Sequence, residues 1–223
     1  MSDIQYTYYG FENCVGAYFE MPTSEARKVL PPHIQPLEKQ HERSIFAITA
    51  FHFTESEVGE YDEVVLAVIV PPIVEPGKPL PKAAMFPFMV ATSTEAARQH
   101  AIERWRLPHI MKDLDIDFHE SDGTMTVKVR DEGEPVLDLV VTEFDSTPAR
   151  NQYCVFTVGD DDRFKVNIYM EAPHSEHEEE RGELTLYDHP FIAGIDPAEI
   201  EPYPFREEWY RAGVQTFEEL ESL

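Results

Sequence analysis

The feature that most constrains this chain is a short strand pattern that recurs along its length. In T-M-T-V-K-V-R, Met125, Val127 and Val129 fall on one side, while Thr126, Lys128 and Arg130 fall on the other. In R-F-K-V-N-I-Y-M, Phe164, Val166, Ile168 and Met170 alternate with Lys165, Asn167 and Tyr169. A period of two is the mark of a strand with one buried and one wet face. The link between Val158 and Phe164, G-D-D-D-R, is a polar turn and predicts an antiparallel hairpin. Further strands are expected near 15–21, 43–54, 63–71, 84–91, 134–143, 151–158 and 182–188. The run E-V-V-L-A-V-I-V is apolar throughout after its glutamate, as a strand covered on both faces would be.

Helical signals are fewer. Thr23 to Leu30 is short and stops at Pro31-Pro32, because a residue before proline avoids helical geometry. The clearest helix runs from Ser93 to about Arg106, with T-S-T-E at 92–95 read as a capping box in which Thr92 is the cap. Ala97, Ala101, Ile102 and Trp105 then make one packed stripe. Asp196-Pro197 and Thr216 to Glu219 are further helix starts. Strands predominate, so the expected class is mainly β (α+β): a curved antiparallel sheet or barrel with a few flanking helices, in a single domain over 1–223.

Charge narrows the partners. Lys and Arg total 18 against 43 Asp and Glu, a formal net charge of −25. Such a surface repels phosphate backbones and anionic lipids, so neither nucleic acid nor membrane is an expected partner. The longest apolar run, Val64 to Ile73, contains two prolines and is too short to span a bilayer. The start M-S-D-I-Q-Y has no signal-peptide pattern, and a cytoplasmic protein is expected. Cys14 and Cys154 have apolar neighbours and read as buried thiols rather than a disulfide.

Nucleotide-cradle, zinc-protease and nucleophile-elbow motifs are all missing from the sequence. The tract H-S-E-H-E-E-E-R-G-E sets His174 and His177 among carboxylates, but it reads as a solvated loop, so neither metal nor cofactor is expected. His52, in A-F-H-F-T, reads as an inward, hydrogen-bonded histidine, with a barrel-lining role open. In G-E-Y-D-E, a glycine turn leads into the apolar strand and puts Tyr61 and Glu63 on one face. On a cavity wall, that pair would be a partly desolvated carboxyl beside a phenol, suited to acid–base work. The simpler alternative is a Glu63 that caps the turn or pairs with an arginine. In W-R-L-P-H-I-M-K-D, Pro108 must end the helix. His109 and Lys112 would share a face if a new turn followed, and otherwise they mark only a helix exit.

Taken together, Gly59-Tyr61-Glu63, the apolar strand after them, a P-K…F-P segment and the helix ending over Glu103 to Pro108 resemble the acetoacetate decarboxylase-like superfamily. The resemblance extends over most of the chain and implies a cone-shaped antiparallel β-barrel with flanking helices. Its best-known members bind a β-keto acid in the barrel and form a Schiff base on a lysine directly after the proline, beside a second lysine. The family pattern is close to G-R-E-Φ-Φ-G-Φ-P-K-K, and this chain reads A-I-E-R-W-R-L-P-H-I. Glu103, Trp105 and Pro108 match. The arginine becomes Ile102, the Schiff-base lysine becomes His109 and its helper becomes Ile110.

An imidazole forms no stable imine, so the expectation is acid–base chemistry on a small oxo or hydroxy acid. His109 is then the base, Glu63 its acidic counterpart and Tyr61 an orienting donor. Arg104 or Arg106 would hold the substrate carboxylate, with His52 and Glu103 completing the binding set. The alternatives are a silent barrel that binds a small apolar or carboxylate ligand, and a true decarboxylase that recruits Lys112, with Lys82 the other nearby amine. The family resemblance also implies a homo-oligomer whose ligand is a small carboxylic or keto acid.

Overall fold

Alternation closes this chain on itself. The computed structural model describes residues 5–77, 79–159 and 162–223. Its elements are β1 (Thr7–Pro22), α1 (Thr23–Val29), β2 (Arg43–Glu55), β3 (Tyr61–Ile69), β4 (Ala83–Thr92), α2 (Glu95–Trp105), β5 (Asp115–Ser121), β6 (Thr124–Asp131), β7 (Glu134–Thr142), β8 (Ser146–Val158), β9 (Arg163–His177), β10 (Glu183–Leu186), β11 (Arg206–Phe217) and β12 (Glu221–Ser222). Seven strands in the order β11-β1-β2-β3-β4-β8-β9 form a barrel, closed by pairing of β9 with β11. Every junction is antiparallel except β4–β8. That seam is parallel and spans Ala83 to Met85 against Tyr153 to Val155. The expected barrel is therefore present, with one parallel seam.

A second sheet, β10-β7-β6-β5, lies against the outside of the barrel. Met125, Val127, Val129, Leu137, Leu139 and Val141 from this sheet meet Val15, Phe19, Ile48, Val64, Leu66 and Val68 from the barrel's outer face. Burial of each such side chain contributes about 1.5–3 kcal/mol, so this interface, rather than the barrel interior, is the main core. It explains the two-faced apolarity of β3. Val64, Leu66 and Val68 face the second sheet, while Glu63 and Val65 face inward.

The hairpin expected between Val158 and Phe164 is present, with Val158 opposite Arg163, although Asp160 and Asp161 of its turn lie outside the described residues. The helix expected near 93–106 is α2, but its cap is Thr94, whose hydroxyl accepts from the Ala97 amide at 3.2 Å. Thr92 instead ends β4 and donates to the Thr94 carbonyl. Ala97, Ala101 and Trp105, at successive spacings of four, form the buried face of α2. Asp196 does cap a short 3-10 turn, Pro197–Glu199. No helix starts at Thr216, because Thr216 pairs with Tyr8 and Tyr169 inside the closed barrel. The tract around His174 and His177 is not a loop either. It continues β9, and both histidines are buried. Both cysteines are free and buried, as expected. No described helix is long and apolar enough to cross a membrane.

Candidate active site

Strand register brings the inward residues into rows. Glu63 on β3 lies opposite Phe51 on β2, which lies opposite Cys14 on β1, which in turn lies opposite Tyr210 on β11. One step along, Val65, Thr49, Gly16 and Glu208 form the adjoining row. Side chains two apart share a face, so both rows point into the barrel. They surround a cavity of about 80 Å³, room for several waters or a small organic group. Most of its wall is apolar, from residues such as Phe51, Val65, Met85, Val155, Ile168 and Met170, and Trp105 and Leu107 from the α2 exit close over it. Among the described residues, no lysine, arginine or histidine lines it.

Two carboxyls break this apolar wall. Glu63 is 9 % exposed and has no hydrogen-bond partner among the described residues. Burial alone pushes its pKa up to about 8. Desolvation favours the neutral acid, so near neutral pH Glu63 presents an unused O–H donor to the cavity.

Glu208 is the opposite case. Its Oε2 accepts from the Tyr153 hydroxyl at 2.8 Å, and Tyr153 Oη lies 2.5 Å from Tyr210 Oη. Asn151 donates to Tyr210 at 2.6 Å. With the Tyr153 proton given to Glu208, Tyr210 donates to Tyr153, so both phenol protons are committed inside the network. Outside the wall, Lys82 Nζ lies 3.3 Å from Glu208 Oε1, within ion-pair range but without hydrogen-bond alignment, and bonds Glu176 at 2.5 Å. Burial raises the Glu208 pKa and Lys82 works against it. The Cys14 thiol, raised well above its ordinary value by burial, stays protonated and is no nucleophile.

The structure separates the residues expected to act together. Tyr61 and Glu63 do share the inward face. Tyr61 is packed against Phe53, with ring centroids 4.9 Å apart, beside the cavity rather than on its wall. His109 is not on the wall. A bridge to Val90 of β4 fixes its backbone, and its Nδ1 lies 3.1 Å from the Ile110 carbonyl oxygen. Its Nε2 is buried without a partner, and burial lowers its pKa to about 4. Lys112 does not share its surroundings, because it is exposed and ion-paired to Asp131.

The α2 residues are excluded by helix geometry, since only the Ala97–Ala101–Trp105 face turns inward. Glu103 is exposed. Arg104 bonds the Thr7 hydroxyl at 3.0 Å and lies over the Trp105 ring. Arg106 takes the left-handed conformation that ends α2 and borders an outer groove with Phe86 and Phe88. His52 is hydrogen-bonded as expected, to Asp62 at 2.7 Å, but points outward, because Phe51 and Phe53 occupy the inward positions of β2.

Glu208, Tyr210 and Tyr153 escape the sequence reading. In R-E-E-W-Y-R-A-G-V-Q-T-F, Glu208 and Tyr210 alternate with buried Trp209, and that alternation is the signal that could have found them. A register shift between Tyr210 and Val214 hides it, since Gln215 and Phe217, not 214 and 216, line the cavity beyond the shift.

A closed seven-stranded barrel with a sheet on its flank and an interior cavity defines a class: this is the acetoacetate decarboxylase-like fold. The solved structures that share it include the enduracididine biosynthesis enzyme MppR complexed with pyruvate, at 12 % identity and a TM-score of 0.65, over 97 % of this chain and 89 % of that one. Acetoacetate decarboxylase from Legionella pneumophila subsp. pneumophila str. Philadelphia 1 matches at 13 % identity and a TM-score of 0.60, over 96 % and 88 %. An acetoacetate decarboxylase-like enzyme from Sphingomonas wittichii RW1 matches at 11 % identity and a TM-score of 0.63, over 100 % and 94 %. No family model and no curated protein sequence matches the chain. At these identities the likeness speaks for the fold.

Proposed function

We propose that this chain is an enzyme that uses Glu63 as a general acid on a small oxo or hydroxy compound held inside the barrel, without a lysine Schiff base. The carrying observation is the Glu63 carboxyl: buried, unpartnered, and protonated up to about pH 8 in an apolar cavity. A general acid works best with a pKa near the operating pH. Donation of the Glu63 proton to a carbonyl oxygen would assist loss of the neighbouring α-proton to a water in the cavity, giving the enol. Return of the enol hydroxyl proton to Glu63 and uptake of a solvent proton at the α-carbon would then restore the carbonyl. Because no cation among the described residues lines the cavity while Glu63 and Glu208 do, a neutral carbonyl compound suits it better than a keto-acid anion. MppR was solved with pyruvate, and a carboxylate of that kind would here find the Lys82 ammonium already engaged by Glu176 and Glu208.

The test is solvent-deuterium incorporation at the α-carbons of a panel of ketones, aldehydes and keto acids. Exchange should fall 100-fold or more in Glu63→Gln, in keeping with the ~10²–10⁴ that general acids contribute. Exchange that is equal in the variant would sink the reading. Borohydride trapping with acetoacetate, read by intact mass, should give no adduct, and an adduct on Lys82 would restore the Schiff-base route. The apolar wall favours a second reading, a barrel that binds a small apolar ligand without turnover. Ligand uptake with no exchange would be its sign.

A further inference from the structure

The region where β9 meets β11 carries a second cluster. His174 and Glu176 are two apart on β9 and therefore share a face. The register sets Glu208 directly opposite Glu176, and Tyr210 opposite His174. One ligand atom from each of His174, Glu176 and Glu208 can be chosen so that all three lie within 4.8 Å of one another. His174 is 8 % exposed and its Nε2 is buried without a partner. Glu208 is 4 % exposed and its Oε1 is likewise without a hydrogen bond. The Tyr210 ring stacks on His174 with centroids 4.1 Å apart, and Tyr153 holds the other oxygen of Glu208. The stacked ring and the hydrogen bond hold the two side chains in place, as groups packed against metal ligands commonly do.

We propose that His174, Glu176 and Glu208 form a site for a divalent transition-metal ion of the zinc class, with the Lys82 ammonium as its competing cation. Mixed imidazole and carboxylate donors suit such ions, and three protein ligands leave coordination positions open. Cations already neighbour the cluster: Lys82 Nζ lies 2.5 Å from Glu176 Oε2 and 3.3 Å from Glu208 Oε1, and Arg206 Nε lies 3.4 Å from Glu176 Oε1. Neither of them hydrogen-bonds His174 Nε2 or Glu208 Oε1, and buried polar atoms left without a partner are costly, so these are the two atoms a divalent ion would satisfy. The sequence does set His174 among carboxylates, but a tract dense in glutamate reads as a solvated loop until β9 is seen to carry it into the barrel.

The experiment is calorimetric titration of the purified chain with zinc chloride, paired with cobalt(II) absorption as a reporter of ordered coordination. One stoichiometric site is expected, weakened at least 30-fold in His174→Ala and in Glu176→Gln, and tightened about 10-fold in Lys82→Met. Glu178→Gln, on the exposed end of the same tract, should leave the affinity unchanged. Circular dichroism checks that each variant folds. Absence of stoichiometric zinc from both the wild type and Lys82→Met overturns the proposal. Affinity unmoved by His174→Ala and Glu176→Gln also overturns it, placing the ion on the acidic surface. The readout is binding, so its failure leaves the acid role of Glu63 standing, and loss of that role leaves the metal site standing.

Discussion

Glu63 and Glu208 are the same residue type on the same barrel wall, and their neighbours make them different acids. Glu63 is buried with no ion pair or hydrogen bond among the described residues to offset its desolvation, so its proton stays on up to about pH 8, against 4.5 for an ordinary glutamate. Between those two values the folded chain keeps a proton that the unfolded chain has lost. Stability from this group is therefore complete below about 4.5 and is lost as pH rises through about 8. The full difference is on the order of 5 kcal/mol, at ~1.4 kcal/mol per pH unit. Glu63→Gln should accordingly melt close to wild type at pH 4.5 and distinctly higher at pH 8.5, with thermal melts across pH the measurement. Activity that needs the protonated acid should fall on the alkaline side of about 8. At Glu208 the vulnerable point is the Tyr153 hydroxyl. Tyr153→Phe leaves Oε2 without its donor inside the wall and should cost about 1–3 kcal/mol in urea unfolding.

At the scale of elements, β11 carries the most unexpected geometry. A Cβ at Gly213 would lie 2.4 Å from the Ala172 Cβ and 2.5 Å from the Glu171 carbonyl oxygen, and neither belongs to a flexible side-chain end. Gly213→Ala should therefore destabilise by about 1–3 kcal/mol or more in urea, through strain in β11 and β9. The same bulge explains what could be read in advance. β6 and β9 were legible because one face of each is apolar and the other polar over an unbroken period of two. β11 was not, because its charged Glu207, Glu208 and Arg211 read as surface and its shift of register breaks the period. Tyr61 and Glu63 were legible because a glycine turn sets the phase of β3. The place of His109 was not, since its direction depends on a bridge to Val90, some twenty residues earlier, that no local pattern announces. Thr94 displaced Thr92 as the α2 cap for a similar reason: Thr92, opposite Glu63, was already part of a strand.

At the scale of the molecule, charge and closure dominate. With 18 basic against 43 acidic residues, the folded chain repels itself over distances that salt screens. Raising sodium chloride from about 0.02 M to about 0.5 M should raise the melting temperature by several degrees, in thermal melts at pH 7. A fall instead would mean that the surface ion pairs outweigh the repulsion. Closure has a different consequence. β1 is held between β2 and β11, with Thr7 opposite Phe217, so the barrel joins strands from the two extremes of the described chain. Contacts of such long range are slow to form. During synthesis, Glu63 emerges with β3 long before the ribosome has made Glu208 on β11. The cavity wall is therefore among the last parts of the protein to exist, and a nascent chain stalled before residue 206 would own Glu63 without Glu208, and no barrel to bury it in.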